Sequence, residues 1–191
     1  MAWDYLEPHF ITVISLSRRI LGCVDEDLLP LISPVWKGHS GLDHLRNPNN
    51  ELAGRNSIIS TSGPRQRPVF TFSQGVVGPL YTAAVQCRSP GIRREAIVLL
   101  LRYPQRDGIW DSFTARRLAW EIMNMEEEMC RHRLHEQDES FQVEAASDIP
   151  AHCRVRDVEV SWTDPCSARV CFRTVEQCER GEQGNTVKIV D

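Results

Sequence analysis

Apolar residues recur at steps of three and four along much of the chain, a spacing that places them on one side of an α-helix. The second such stretch shows the pattern clearly, since Leu80, Ala83, Ala84 and Cys87 share one face. The pattern predicts four helices, at residues 8–24, 76–89, 92–103 and about 111–137.

Charged positions within this pattern are predicted to face solvent. In the third helix Arg93, Arg94, Glu95 and Arg102 fall between the apolar residues and are expected to point outward. The last turns of the long helix, Glu126 to Glu139, are nearly all charged or histidine. We therefore expect that end of the helix to project into water.

The periodicity changes from about three and a half to two near the C-terminal end. Val158, Val160 and Trp162 alternate with polar residues, and so do Ala168, Val170 and Phe172. Thr163-Asp164-Pro165 between the two runs is typical of a turn. This pattern predicts a β-hairpin with one apolar face. The predicted fold class is mainly α, with antiparallel helix pairs and a small C-terminal β-hairpin.

Composition divides the chain into four parts. Residues 1–36 form an N-terminal helical segment, and residues 37–75, rich in Gly, Ser, Asn, Pro and Arg, are predicted to be a flexible linker or loop. Residues 76–175 form a helical core that carries the C-terminal hairpin. Residues 176–191 are predicted to be a polar tail.

The bulk properties narrow the class of protein. The 191 residues carry a net charge of −4, which argues against a free-standing nucleic-acid binder. The first residues are a poor match to a signal peptide, and no apolar run approaches the roughly 20 residues of a membrane span. We expect a soluble intracellular protein whose seven cysteines are reduced.

The residue patterns favour no catalytic or metal site. Glu128, His132 and His135 share a helical face, but a partner motif on another helix is missing, so an exposed charged face is the favoured interpretation. Cys166, Cys171 and Cys178 match no standard zinc spacing. No nucleophile elbow or phosphate-binding glycine loop occurs. We expect no enzyme activity and no cofactor.

The junction between the third and fourth helices has a distinct composition. Pro104 ends one helix, Gly108 supplies a turn with positive φ, and Asp111 or Ser112 caps the next helix. Trp110 is expected to bury its ring beneath this turn as a core residue.

The stretch PGIRREAIVLLLRYPQRDGIWDSFTARRLAWEIMNMEEE resembles the C-terminal regulatory region of fungal zinc binuclear-cluster transcription factors. The good match covers about residues 76–130. The resemblance implies a structural signature rather than a catalytic set. Its members here are Arg94, Glu95, Pro104, Gly108, Trp110, Asp111 and Trp120.

One feature of that family is missing. Its members carry six closely spaced cysteines that hold two zinc ions beside a basic stretch, whereas the seven cysteines here are too widely spaced. We therefore expect no zinc and no direct nucleic-acid contact from this chain. The resemblance implies a regulatory half that contacts other proteins, such as transcription machinery or a DNA-binding partner, with dimerisation left open.

The resemblance also implies a place in the nucleus, with the cytoplasm as the alternative. A role in regulating a metabolic gene cluster is left open. Two other hypotheses stand beside the regulatory one. The chain could be a small-molecule-binding protein or enzyme with a pocket between its helices. It could also be a truncated remnant without function, whose unmatched apolar faces would favour aggregation.

Overall fold

The computed structural model describes residues 5–23, 69–71, 75–108, 110–134, 143–164 and 167–190. Within these ranges lie five α-helices and six β-strands. The helices are α1 (Glu7–Leu21), α2 (Val77–Gln86), α3 (Pro90–Arg102), α4 (Ser112–Leu134) and α5 (Val175–Arg180). The strands are β1 (Val69–Thr71), β2 (Gln105–Asp107), β3 (Trp110–Asp111), β4 (Val155–Asp164), β5 (Ser167–Thr174) and β6 (Asn185–Val190).

The first four helices build the main apolar core. Helix α2 packs against both α3 and α4, and α1 lies on α2 and α3. The predicted face of α2 is buried, including Leu80, Ala83 and Ala84. Gly22 ends α1 in the left-handed conformation with φ 66°. The sequence pattern therefore located these four helices and most of their buried faces.

A small mixed sheet connects α3 to α4. Strand β2 pairs in parallel with β1 and antiparallel with β3. Helix α3 ends at Arg102, just before Pro104, and Gly108 has φ 61° in the turn between β2 and β3. Both predictions for this junction are confirmed. Strand β1 lies in the range predicted to be a linker, and most of residues 37–75 lies outside the described residues.

A second, antiparallel sheet forms the C-terminal part, in the strand order β4-β5-β6. Its first two strands are the predicted hairpin, with Val158 opposite Phe172 and Val160 opposite Val170. The apolar face of β5 packs on α4, where Val170 and Phe172 join Ile122 in a second apolar cluster. Helices predominate and a C-terminal hairpin is present, so this part of the predicted fold class is confirmed.

Residues 176–191 hold more structure than a polar tail. Thr174 caps α5 by accepting a hydrogen bond from the N–H of Gln177, and Gly181 ends that helix with φ 65°. Strand β6 then adds a third strand along β5, with Val187 opposite Val170. Short polar elements of this kind show little hydrophobic periodicity. Strand β6 is stabilised by its pairing with β5 and not by a long apolar face of its own. The proposed divisions at residues 36 and 75 stay predictions.

One prediction concerns the entry to α2. A methyl group added at Gly75 would overlap the carboxylate of Asp107, which is buried against this turn. We expect Gly75→Ala to lower the free energy of unfolding by about 1–3 kcal/mol, because the carboxylate would have to shift and so disturb the hydrogen bond that it accepts from the N–H of Val77. Chemical denaturation monitored by circular dichroism measures this change.

Gly91→Ala in the first turn of α3 is the control, because nothing lies within 4 Å of a Cβ at that position. An alanine inside a helix should leave stability unchanged or raise it by up to about 1 kcal/mol. Equal effects of the two substitutions would contradict the close approach of Gly75 to Asp107.

Candidate functional site

The α3–α4 junction is held by two acidic side chains. The carboxylate of Asp111 accepts hydrogen bonds from the N–H groups of Phe113 at 2.8 Å and Thr114 at 3.2 Å, so Asp111 is the residue that caps α4. The carboxylate of Asp107 accepts one from the N–H of Val77 at 2.9 Å, at the first turn of α2. Both carboxylates lie at the positive ends of helices, where negative charge is stabilising.

Trp110 is not the core residue that the sequence predicts. Its side chain is 44% exposed and rests against Tyr81, with ring centroids 5.5 Å apart. Asp107, rather than Trp110, takes the buried position beside this turn. The indole therefore presents an aromatic surface at the junction. Burial raises the pKa of the phenol of Tyr81 on α2, beside the indole.

The other signature residues have structural contacts. Arg94 forms an ion pair with Glu127 at 3.1 Å and donates a hydrogen bond to the carbonyl of Val143 at 3.1 Å. Glu95 forms an ion pair with Arg18 of α1 at 3.1 Å. Trp120 lies in the main apolar core. These residues attach α1, α4 and the segment after α4 to helix α3.

Arg93 is buried, in contrast to the outward position predicted for it. Only 1% of the residue is exposed. Its Nε donates to the carbonyl of Ala84 at 2.8 Å, and its Nη1 lies 2.5 Å from the carboxylate of Glu126. Arg93 therefore links the last turns of α2 to the middle of α4.

Glu126 is the centre of this arrangement and is 2% exposed. Besides Arg93, its carboxylate accepts a hydrogen bond from the N–H of Val155 at 2.8 Å and lies 3.4 Å from Nη1 of Arg154. We call Arg93, Glu126, Arg154 and the N–H of Val155 the Glu126 network. It connects α3, α4 and the start of β4 through one buried carboxylate.

One face of the C-terminal half of α4 is covered, so this part of the helix does not project freely into water as predicted. Cys130 is fully buried in a third apolar cluster with Val143, Ile149 and Cys153, and its thiol donates to the carbonyl of Asp148. The segment 143–153 thus lies over this part of the helix. The prediction was wrong because it rested on the charge of each turn. The covering segment, residues 143–153, is distant from those turns in its own sequence pattern and could not be assigned to them.

A signal for the two buried charges was present in the sequence. Arg93 continues the apolar stripe of Ala96, Ile97 and Leu100 at steps of three, four and seven residues. Glu126 lies four residues after Ile122 and four residues before Cys130, and so continues the stripe that these two apolar residues form. A charged residue in register with an apolar stripe indicates that its side chain is buried in an ion pair. Its position in the sequence does not identify the residue of opposite charge.

Burial changes the proton affinity of one member of the Glu126 network, Arg154, and of Glu127 beside it. Burial lowers the pKa of Arg154, against the raising effect of Glu126. Desolvation also raises the pKa of Glu127 above its usual value, although Arg94 acts in the opposite direction. Burial of these charges therefore carries a desolvation free energy that the packing of the surrounding elements has to offset.

The residues weighed as metal ligands are described only in part. His132 lies 3.8 Å from Glu128, and both side chains are well exposed, as expected for a charged helix face. His135 and Cys166 lie outside the described residues. Within the described ranges no group of three or more His, Cys, Asp or Glu residues could hold a metal ion.

Comparison with known proteins gives one partial match of interest. Over 59 residues the chain is 41% identical to the aspercryptin biosynthesis cluster-specific transcription regulator atnN of Emericella nidulans. The match covers 31% of this chain and 10% of that protein. No protein-family model and no solved structure matches the chain. The match supports a relationship to fungal transcription regulators.

In the part of the chain that the structure describes, no helix is long and apolar enough to cross a bilayer.

Removal of the charge at Glu126 tests the network. Glu126→Gln preserves the shape of the side chain but leaves two guanidinium groups without their shared counterion. We expect the free energy of unfolding to fall by about 3–5 kcal/mol, as for other buried ion pairs that lose one partner. Urea denaturation measures the change.

Glu128→Gln on the same helix serves as the control, because Glu128 is exposed. Its effect should stay within about 0.5 kcal/mol. Similar values for the two variants would show that Glu126 carries no special role.

The raised pKa of Glu127 predicts a specific pH dependence. A glutamate with a raised pKa in the folded protein stabilises the fold most when it is protonated, below the unfolded value of about 4.3. That contribution is lost as the pH rises through the raised pKa. Glu127→Gln should therefore flatten this part of the stability profile.

The free energy of unfolding of both proteins, measured from pH 4 upward, tests the prediction. The difference between wild type and Glu127→Gln should shift against the wild type as the pH rises through that window. A difference that does not change with pH would contradict the assignment.

Proposed function

We propose that this chain is a transcription regulator-like protein, the regulatory part of a fungal zinc-cluster transcription factor, acting through contacts with other proteins. The observation that carries the proposal is the 41% identity over 59 residues to a cluster-specific transcription regulator. Regulation of a metabolic gene cluster and action in the nucleus are parts of the same proposal.

The surface of the described residues supports a contact role. Trp110 is 44% exposed and lies on Tyr81, and Trp162 and Val160 are exposed on β4. Exposed tryptophan side chains are frequent energetic centres of protein interfaces, because they bury a large area with little loss of conformational freedom. The net charge of −4 does not favour direct contact with nucleic acid.

We also propose that the main helices form the antiparallel pairs that the sequence predicts. Three residues connect α2 to α3, and the β2–β3 turn connects α3 to α4. Short connections between packed helices favour antiparallel neighbours. This scaffold would hold the junction and its exposed tryptophan in a fixed position.

A reporter assay tests the proposed function. The full chain, fused to a foreign DNA-binding domain in a fungal host, should change the output of a matching reporter gene. We expect Trp110→Ala to reduce that change without loss of protein, because the exposed ring contributes to contact more than to stability.

Two variants make the result interpretable. Glu128→Gln alters an exposed charge and should keep the wild-type output, whereas Glu126→Gln weakens the fold and should lose it. A wild-type fusion that is abundant, folded and without effect on the reporter would overturn the proposal.

A further inference from the structure

The Glu126 network holds more positive than negative charge. Arg93 and Arg154 both direct Nη1 at the same oxygen of Glu126, at 2.5 Å and 3.4 Å, so their guanidinium groups are neighbours on a single carboxylate. All three side chains are at least nine-tenths buried. Two positive charges and one negative charge therefore share an interior that solvates charge poorly.

The charges beside the network do not remove this excess. Glu127, the next residue on α4, forms an ion pair with Arg94 at 3.1 Å. On Arg154, the strongest charge effects after that of the central carboxylate come from Arg93 and Arg88, and both are positive. The excess of positive charge is thus a local property of the network.

Each of the two arginines also has a buried nitrogen without an acceptor among the described residues. These donors are Nη2 of Arg93 and Nε of Arg154. Neighbouring nitrogens of the same groups are used, since Nε of Arg93 donates to the carbonyl of Ala84 and Nη2 of Arg154 donates to the carbonyl of Ala146 at 3.1 Å. A buried donor without an acceptor is costly, so the two nitrogens indicate an acceptor other than the described residues.

We propose that a small monovalent anion, such as chloride, binds beside Glu126 and accepts hydrogen bonds from Nη2 of Arg93 and Nε of Arg154. A water molecule would accept the same hydrogen bonds but leave the excess charge uncompensated, whereas an anion meets both needs. The ion has to be small, because Arg93 is 1% and Arg154 8% exposed. The bound ion would stabilise the joint between α3 and the start of β4, and the site does not depend on the proposed regulatory role.

Urea denaturation of the purified full chain tests the site, with sodium chloride replacing sodium gluconate at constant ionic strength. Screening of charge then stays constant, and gluconate is too large for a closed site. Above the dissociation constant, each tenfold rise in chloride should raise the folding equilibrium constant about tenfold. Arg154→Met should abolish this dependence, because it removes the excess charge and one donor. Arg156→Met is the control, since Arg156 is exposed on β4.

Two further measurements do not require the Arg154→Met variant to fold. Glu126→Gln should bind chloride more tightly than the wild type, because the loss of the carboxylate increases the excess of positive charge. Crystals of the wild type grown in sodium bromide should show an anomalous peak within hydrogen-bonding distance of Nη2 of Arg93 and Nε of Arg154.

Several results would overturn the proposal. One is equal stability of the wild type in chloride and in gluconate, and another is the same chloride dependence in Arg154→Met and Arg156→Met. A map with no bromide peak at the two arginines would also overturn it. A bromide peak without any effect of chloride on stability would show an adventitious ion only.

Discussion

A buried carboxylate cannot be left without partners, and in this protein Glu126 imposes that constraint on three elements at once. Its oxygens meet Arg93 of α3, Arg154 at the start of the C-terminal sheet and the N–H of Val155 in β4. Loss of any partner would leave charge in an environment that solvates it poorly. The docking of the sheet on the helices is therefore tied to the satisfaction of one side chain.

At the α3–α4 junction, carboxylates likewise accept hydrogen bonds that fix the position of neighbouring elements. Asp107 satisfies the first turn of α2 and Asp111 satisfies the first turn of α4, so a single tight hairpin sets the start of two helices. Gly75 and Gly108 are required there for space and for positive φ. The exposed Trp110 follows from this arrangement, because Asp107 fills the buried position. The resemblance to regulators thus rests on residues that build a scaffold and expose one aromatic ring.

Sequence reasoning located what depends on local periodicity. The positions of α1, α2 and α3, the buried face of α2, the turn at Gly108 and the hairpin of β4 and β5 all follow from spacing or from a residue's own conformational limits. It failed where a distant segment decides the outcome. Arg93 and Glu126 were assigned to solvent because their partners lie 33 residues apart in the chain. Strand β6 was missed because its stability comes from pairing with β5 rather than from its own pattern.

The most direct test of this account is a double-mutant cycle between Arg93 and Glu126. The free energies of unfolding of Arg93→Met, Glu126→Gln and the double variant would be compared with that of the wild type. If the two side chains act as one buried pair, the double variant should be more stable than the sum of the single effects predicts, by about 0.5–3 kcal/mol. Simple additivity of the two effects would contradict the central place given to the Glu126 network.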